Sequence, residues 1–234
     1  MRIVDLSMTI QSDLTTQRAF SGNVLVNLVS HEESRKFAAG TPEDPFTSTW
    51  NYLSMTEHCG THVDAFYHMD PNGLSVDEMD LDFFFGKAVC LDLTHLPPRA
   101  VITPEMLESA EKKAGITIDG HIVLLATGLH RQYYPDPVIL EMNAELSSDA
   151  VYWLHEHGSR VHGVEGASTD ILDKNTFPSH RACRDLKMAH YEWLVNLEEL
   201  IGKGEFMFYG VPLKLKRGSG SPVRAFAVLE DEQK

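Results

Sequence analysis

The chain has 234 residues, 43% of them hydrophobic and 23% charged, which is the balance of a soluble globular protein long enough to bury a full core. Its 34 acidic against 20 basic residues leave a formal charge of −14, which argues against a nucleic-acid or anionic-membrane partner and for a small-molecule substrate. The three cysteines, Cys59, Cys90 and Cys183, are widely spaced and odd in number, so they cannot close a disulfide framework and point to a reducing cytoplasm.

MRIVDLSMTI at the N-terminus has one arginine and an alternating apolar pattern, so it reads as a first strand over 3–10 and not as a signal peptide. Further strands are predicted at 23–28, 88–93, 122–126, 161–164, 206–215 and 223–229, each bounded by Gly, Pro, Asp or Ser. The polar segment 30–44 carries Gly40-Thr41-Pro42 and reads equally as a mobile loop over a pocket or as a solvated connection. Thr103-Pro104 opens a helix that carries Met106, Leu107, Ala110 and Ala114 at helical spacing and stops at Gly115. A second helix begins near Ser147 or Ser148 and ends at Gly158, and a third is predicted over 182–199. Strands followed by alternating strands and helices predict one mixed α/β domain over 1–234. No uncharged apolar run reaches the roughly 18 residues of a membrane span.

The segment EHCGTHVDAFYHMD (57–70) places His58, His62, Asp64 and His68 within eleven positions. Chance would give the pattern H-x3-H-x-D-x3-H in about two such chains per thousand, so coincidence explains it poorly. A helix would turn Asp64 away from His58 and His62, and Gly60, Thr61 and Val63 disfavour helix. In an extended segment His62 and Asp64 project to one side, about 6 to 7 Å apart, and Gly60 permits the bend that returns His58 to them. Two imidazoles and a carboxylate suit Zn²⁺, Mn²⁺ or a similar ion and leave positions open for water and substrate. Such an ion activates water for attack on an amide, imide or lactone, and His68 is placed to carry the proton.

Other routes are weaker. HEESR at His31 and HEHGS at His155 lack the second histidine of H-E-x-x-H, and GSGSP around Ser219 is not a nucleophile elbow. Cys59 reads as a small side chain packed behind the cluster rather than as a nucleophile.

The string HCGTHVDAFYH (58–68) resembles the H-x-G-T-H-x-D-x-P-x-H signature of the metal-dependent cyclase family, which includes bacterial kynurenine formamidases and isatin hydrolases. FPSH (177–180) with Glu192 twelve positions on is similar to that family's second metal segment, and VPLKL (211–215) with SPVRA (221–225) resembles its C-terminal strands. The resemblance implies that His58, His62 and Asp64 bind one metal, that Asp64, His180 and Glu192 bind a second, and that His68 is the base. It also implies a swivelling β/β/α fold assembled as a homodimer or larger homo-oligomer. A glutamate at 192, where isatin hydrolases can carry glutamine, favours two ions bridged by Asp64.

Departures fall on the walls. Phe66 replaces the signature proline, the N-terminal Pro-Gly-Asp of kynurenine formamidases is absent, and GVEGASTD (163–170) has Gly166 and Ala167 where the family carries Thr-Pro. Trp50, Phe66 and Tyr67 are candidates to face an aromatic substrate, with core packing as the competing reading. The expectation is a hydrolase of an aryl formamide, cyclic amide or imide. A lactone hydrolase on the same site, or a non-catalytic metal- or ligand-binding protein, stands as the alternative.

Overall fold

The computed structural model describes residues 1–12, 14, 24–37, 40–41 and 43–230. In chain order the strands are β1 (Arg2–Asp5), β2 (Val24–Val29), β3 (Trp50–Ser54), β4 (His62–Asp64), β5 (Phe85–Asp92), β6 (Val101–Ile102), β7 (Ile122–Ala126), β8 (Glu145–Leu146), β9 (Val161–Val164), β10 (Ala189–Glu192), β11 (Phe206–Tyr209), β12 (Gly220–Pro222) and β13 (Phe226–Leu229). The α-helices are α1 (His31–Ser34), α2 (Phe66–Met69), α3 (Pro104–Ala114), α4 (Leu129–Tyr133), α5 (Ser148–Glu156) and α6 (Pro178–Leu186).

One nine-stranded sheet has the order β1-β13-β11-β5-β7-β9-β10-β4-β12. Its centre, β5-β7-β9-β10, is parallel, and both flanks are antiparallel. Parallel strands need cover on both faces, and β7, IVLLA, is buried at all five positions. Period-two alternation sends Val89, Leu91, Val123 and Leu125 to one face, where they meet Leu107 and Ala110 of α3, Val151 and Leu154 of α5, and Ala182 and Cys183 of α6. The intervening Ala88, Cys90, Leu124 and Ala126 face the second core with Tyr191, Phe208 and Leu194. Each fully buried leucine on these faces contributes about 1.5–3 kcal/mol by leaving water.

The helix signals act as anticipated at α3 and α5. Pro104 opens α3 and Gly115, at φ 65°, stops it; the Ser147 hydroxyl accepts from Ala150 N at the start of α5. This mixed α/β architecture matches the expected class. Several boundaries differ. The predicted strand at 3–10 ends at Asp5, and 206–215 ends at Tyr209, followed by Gly210, where a Cβ would strike the Tyr191 and Phe208 rings. The predicted 23–28 strand appears as β2, with Asn23 outside the described residues. Within 30–44, a Ser30/Glu33 capping box starts α1 and a 3₁₀ turn follows over Arg35–Phe37; residues 38, 39 and 42 lie outside the described ones.

The largest correction concerns 182–199. It is not one helix: α6 ends at Leu186, Lys187 takes φ 53°, and Met188 N closes the cap on Cys183 O before the chain extends into β10. Residues 189–192 then alternate, with Ala189 and Tyr191 in the core shared with β11 and His190 and Glu192 on the opposite face.

Candidate metal centre

β4 lies between β10 and β12, with Asp64 opposite His190 and Gly220, and His62 opposite Glu192 and Pro222. This register puts His62, Asp64, His190 and Glu192 on one patch of the sheet. Gly60, at φ 59°, makes the bend that swings His58 back over Asp64. Immediately after β4 the chain turns into α2, and the helical rotation sends Phe66 into the core and His68 over the patch. The N-terminus of α6 supplies His180 from across the cleft.

The hydrogen bonds fix which imidazole nitrogens face inward. His62 Nδ1 can only donate to Gly60 O, at 2.8 Å, so the neutral ring turns an Nε2 lone pair toward Asp64 Oδ1 at 3.2 Å and Glu192 Oε2 at 3.5 Å. Among the described residues that Nε2 has no hydrogen-bond partner, and the residue is 1% exposed. Ser219 donates its hydroxyl to Glu57 Oε2 at 2.6 Å, so it accepts from His58 Nε2 at 2.9 Å, leaving His58 Nδ1 against Asp64 Oδ1 at 2.7 Å. Asp170 accepts from Ser179 N at 2.8 Å, from His180 N at 3.1 Å and from His180 Nδ1, which leaves His180 Nε2 toward Asp64 Oδ2 at 3.8 Å and Glu192 Oε1 at 3.9 Å. Thr169 N anchors Glu192 Oε1 at 3.2 Å.

The result is a buried group of acceptors, lone pairs facing carboxylate oxygens, with too few protons to satisfy them. A divalent cation suits such a donor set, and the tautomers set by Gly60, Ser219 and Asp170 present the nitrogens as ligands. Two groupings around Asp64 bring one donor atom from each residue within 4.8 Å of the others: Asp64, His180, His190 and Glu192; and His58, Asp64 and His68.

The carboxylates draw positive charge onto the cluster, a role that a bound cation would take over. Burial alone would raise the Asp64 carboxyl, but His68, His190 and His58 outweigh it and hold it well below its ordinary value. Burial would lower His62, yet Asp64 and Glu192 outweigh it and hold it above its usual range. Burial pushes the His68 imidazole down despite the Asp64 carboxylate, so the ring is neutral at pH 7. Its side chain keeps 29% exposure, with Nε2 3.5 Å from Asp64 Oδ2.

A cavity of about 350 Å³ opens onto this cluster, walled by Met69, Leu172, Phe177 and Ser168 with Arg181 and Arg184 of α6 at its side. Thus the structure brings together His58, His62, Asp64, His68, His180 and Glu192. It does not bring Trp50, Phe66 or Tyr67 to the wall. Phe66 is 6% exposed and packs edge-on against Phe83, because the first turn of α2 points it inward. Trp50 is an exposed residue of the separate β2–β3 ribbon, and Tyr67, one helical position past Phe66, does not line the cavity. Cys59 is fully buried beside Met8, Leu14 and Trp193, in keeping with a packing role. Sequence reasoning missed Asp170, His190 and the arginines. The one available signal for His190 was its place two positions before Glu192 on an extended segment.

Known proteins resemble this one along its whole length. Kynurenine formamidase of Bacillus anthracis is 28% identical over 227 residues, covering 95% of each chain. Isatin hydrolase A from Ralstonia solanacearum superposes with a TM-score of 0.81 at 25% identity, over 98% of this chain and 92% of that one. An isatin hydrolase bound to the product analogue thioisatinate superposes at 0.83 and 20% identity, over 97% and 92%. The model of the Cyclase family, described as "Putative cyclase", matches residues 4–171, well over half of the chain, and the protein belongs to that family.

Proposed function

We propose that the protein is a divalent-metal-dependent hydrolase that cleaves the C–N bond of an aryl formamide or cyclic amide. His58, His62 and Asp64 hold one ion, Asp64, His180 and Glu192 a second, and Zn²⁺ or Mn²⁺ suits the nitrogen and oxygen donors. The observation that carries the reading is the orphaned, fully enclosed His62 Nε2 aimed at two carboxylates beside an open cavity. When bound, the metal polarises the substrate carbonyl and lowers the pKa of water.

The chain's own residues supply the rest. His68, neutral and partly exposed at the cavity mouth, takes the proton from water and passes it to the leaving nitrogen. Phe177, Leu172 and Met69 receive an aromatic ring and exclude bulk solvent. Arg181 and Arg184 offer guanidinium groups to an anionic substituent, in a chain that is otherwise strongly acidic. The relatives named kynurenine formamidase support N-formylkynurenine as the first substrate to try. The buried side chains of Cys59, Cys90 and Cys183, which form no disulfide among the described residues, support a cytoplasmic site of action, and the exposed Trp50, Tyr52 and Leu53 of the ribbon support assembly into a homodimer or larger homo-oligomer.

The test is turnover of N-formylkynurenine by Zn²⁺- or Mn²⁺-loaded protein, with a chelator control and the His68→Ala variant. Chelator-sensitive turnover is expected, with kcat reduced about 10²–10⁴-fold in the variant at unchanged metal content. Absence of turnover by metal-loaded protein on this substrate, isatin-like amides and imides alike would refute the reading; turnover of lactones alone would move the chemistry to C–O cleavage.

A further inference from the structure

His190 belongs to neither ligand set proposed above, yet it occupies the middle of the cluster. The residue is 0% exposed; among the described residues neither ring nitrogen has an aligned hydrogen-bond partner, and Nε2 faces the Asp64 carboxylate as an ion pair. Its Nε2 stands 3.2 Å from Asp64 Oδ2 and 3.5 Å from Glu192 Oε1, closer to both carboxylates than His180 Nε2, at 3.8 and 3.9 Å. Donors about 2.0–2.2 Å from one ion at tetrahedral angles lie about 3.3–3.6 Å apart, so His190 is already at ligand spacing and His180 needs to close by a few tenths of an ångström. The two rings meet edge to face, at 80° and 4.8 Å between centroids.

We propose that His190 is a fourth protein ligand of the second metal, completing a set of Asp64, His180, His190 and Glu192. The inference rests on the two-metal reading and deepens it. Four protein donors saturate a four-coordinate ion, so the second metal is a fixed charge that holds Asp64 and Glu192, and the open coordination positions belong to the ion at His58, His62 and Asp64. A ligating histidine directs its other ring nitrogen to an acceptor; the Cys183 sulfur, within 4.8 Å of a His190 ring nitrogen and fully buried on α6, is suited to that part.

Two measurements test this. In crystals of Zn²⁺-loaded wild-type protein, anomalous scattering should place one ion within about 2.0–2.2 Å of His190 Nε2. Two ions seated with that nitrogen beyond about 3 Å from either would overturn the assignment while leaving the metal-hydrolase reading intact. In chelator competition, His190→Gln should weaken one Zn²⁺ site at least tenfold and leave the other as in wild type; wild-type affinity at both sites would also overturn it. Wild-type protein that binds no Zn²⁺ would overturn the two-metal reading and this inference together. Should the variant fail to fold, the wild-type crystals decide alone.

Discussion

Asp170 lies outside both ligand sets, yet replacing it with asparagine is expected to damage the second metal site. The carboxylate, 0% exposed, holds the Ser179 and His180 amides through Oδ1 and Oδ2 and takes the proton of His180 Nδ1. Asparagine keeps the shape but turns one acceptor into an NH₂ donor. If that NH₂ faces His180, it drives the ring proton to Nε2, the atom that looks at Asp64 and Glu192. If the amide flips, the NH₂ meets the Ser179 N–H instead. Either orientation leaves one buried donor unpaired, at about 1–3 kcal/mol, and outer-shell partners of this kind carry about 10–100-fold in metal affinity, equivalent to about 1.4–2.7 kcal/mol. Asp170→Asn should therefore melt several degrees below wild type and bind its second Zn²⁺ at least tenfold more weakly in chelator competition, with the first site unchanged. Wild-type affinity for both ions together with a wild-type melting temperature in Asp170→Asn would refute the claim that this carboxylate fixes His180.

Asp64 touches both groups, through Oδ1 to His58 and His62 and through Oδ2 to His180 and His190, so Asp64→Ala should abolish both sites, read as metal per chain by mass spectrometry. Retention of one full equivalent would show that Asp64 does not bridge. Glu165 tests the electrostatics of the scaffold: burial, reinforced by Glu198, raises its carboxyl from 4.5 to about 7 although Thr127 and Gly128 donate to it. The native state therefore holds a proton between about pH 4.5 and 7 that the unfolded chain has released, so this group's contribution falls as pH rises across that window, by about 3 kcal/mol in all. Thermal melts from pH 5 to 8 should show that decline in wild type and a flatter profile in Glu165→Gln; equal slopes would remove Glu165 as its source.

The local half of the site was legible in the chain. His62 and Asp64 alternate on an extended segment, and Gly60 announces the bend that adds His58, because side-chain direction along a strand and the need for positive φ are properties of neighbouring residues. His180 and Glu192 carried little signal of their own and were reached through family resemblance. His190 was hidden by reading 182–199 as one helix, where positions 190 and 192 point about 200° apart; on a strand they share a face. Nothing local marks the break well, since Lys187 adopts φ 53° without being Gly, and the stop is enforced by packing of Met188 and Ala189 into the cores on either side. The assignment of Phe66 to the core and His68 to the cavity depends likewise on α2 starting directly at the end of β4. By itself the sequence determined composition, the period of its elements and the ligand types, all of which are short-range. Which side chains converge on Asp64 was decided by β4 pairing with β10, His190 against Asp64 and Glu192 against His62, and by α6 packing across them. Those contacts join residues more than a hundred positions apart, and their register is set by burial on both faces of the sheet, a property of the folded chain as a whole.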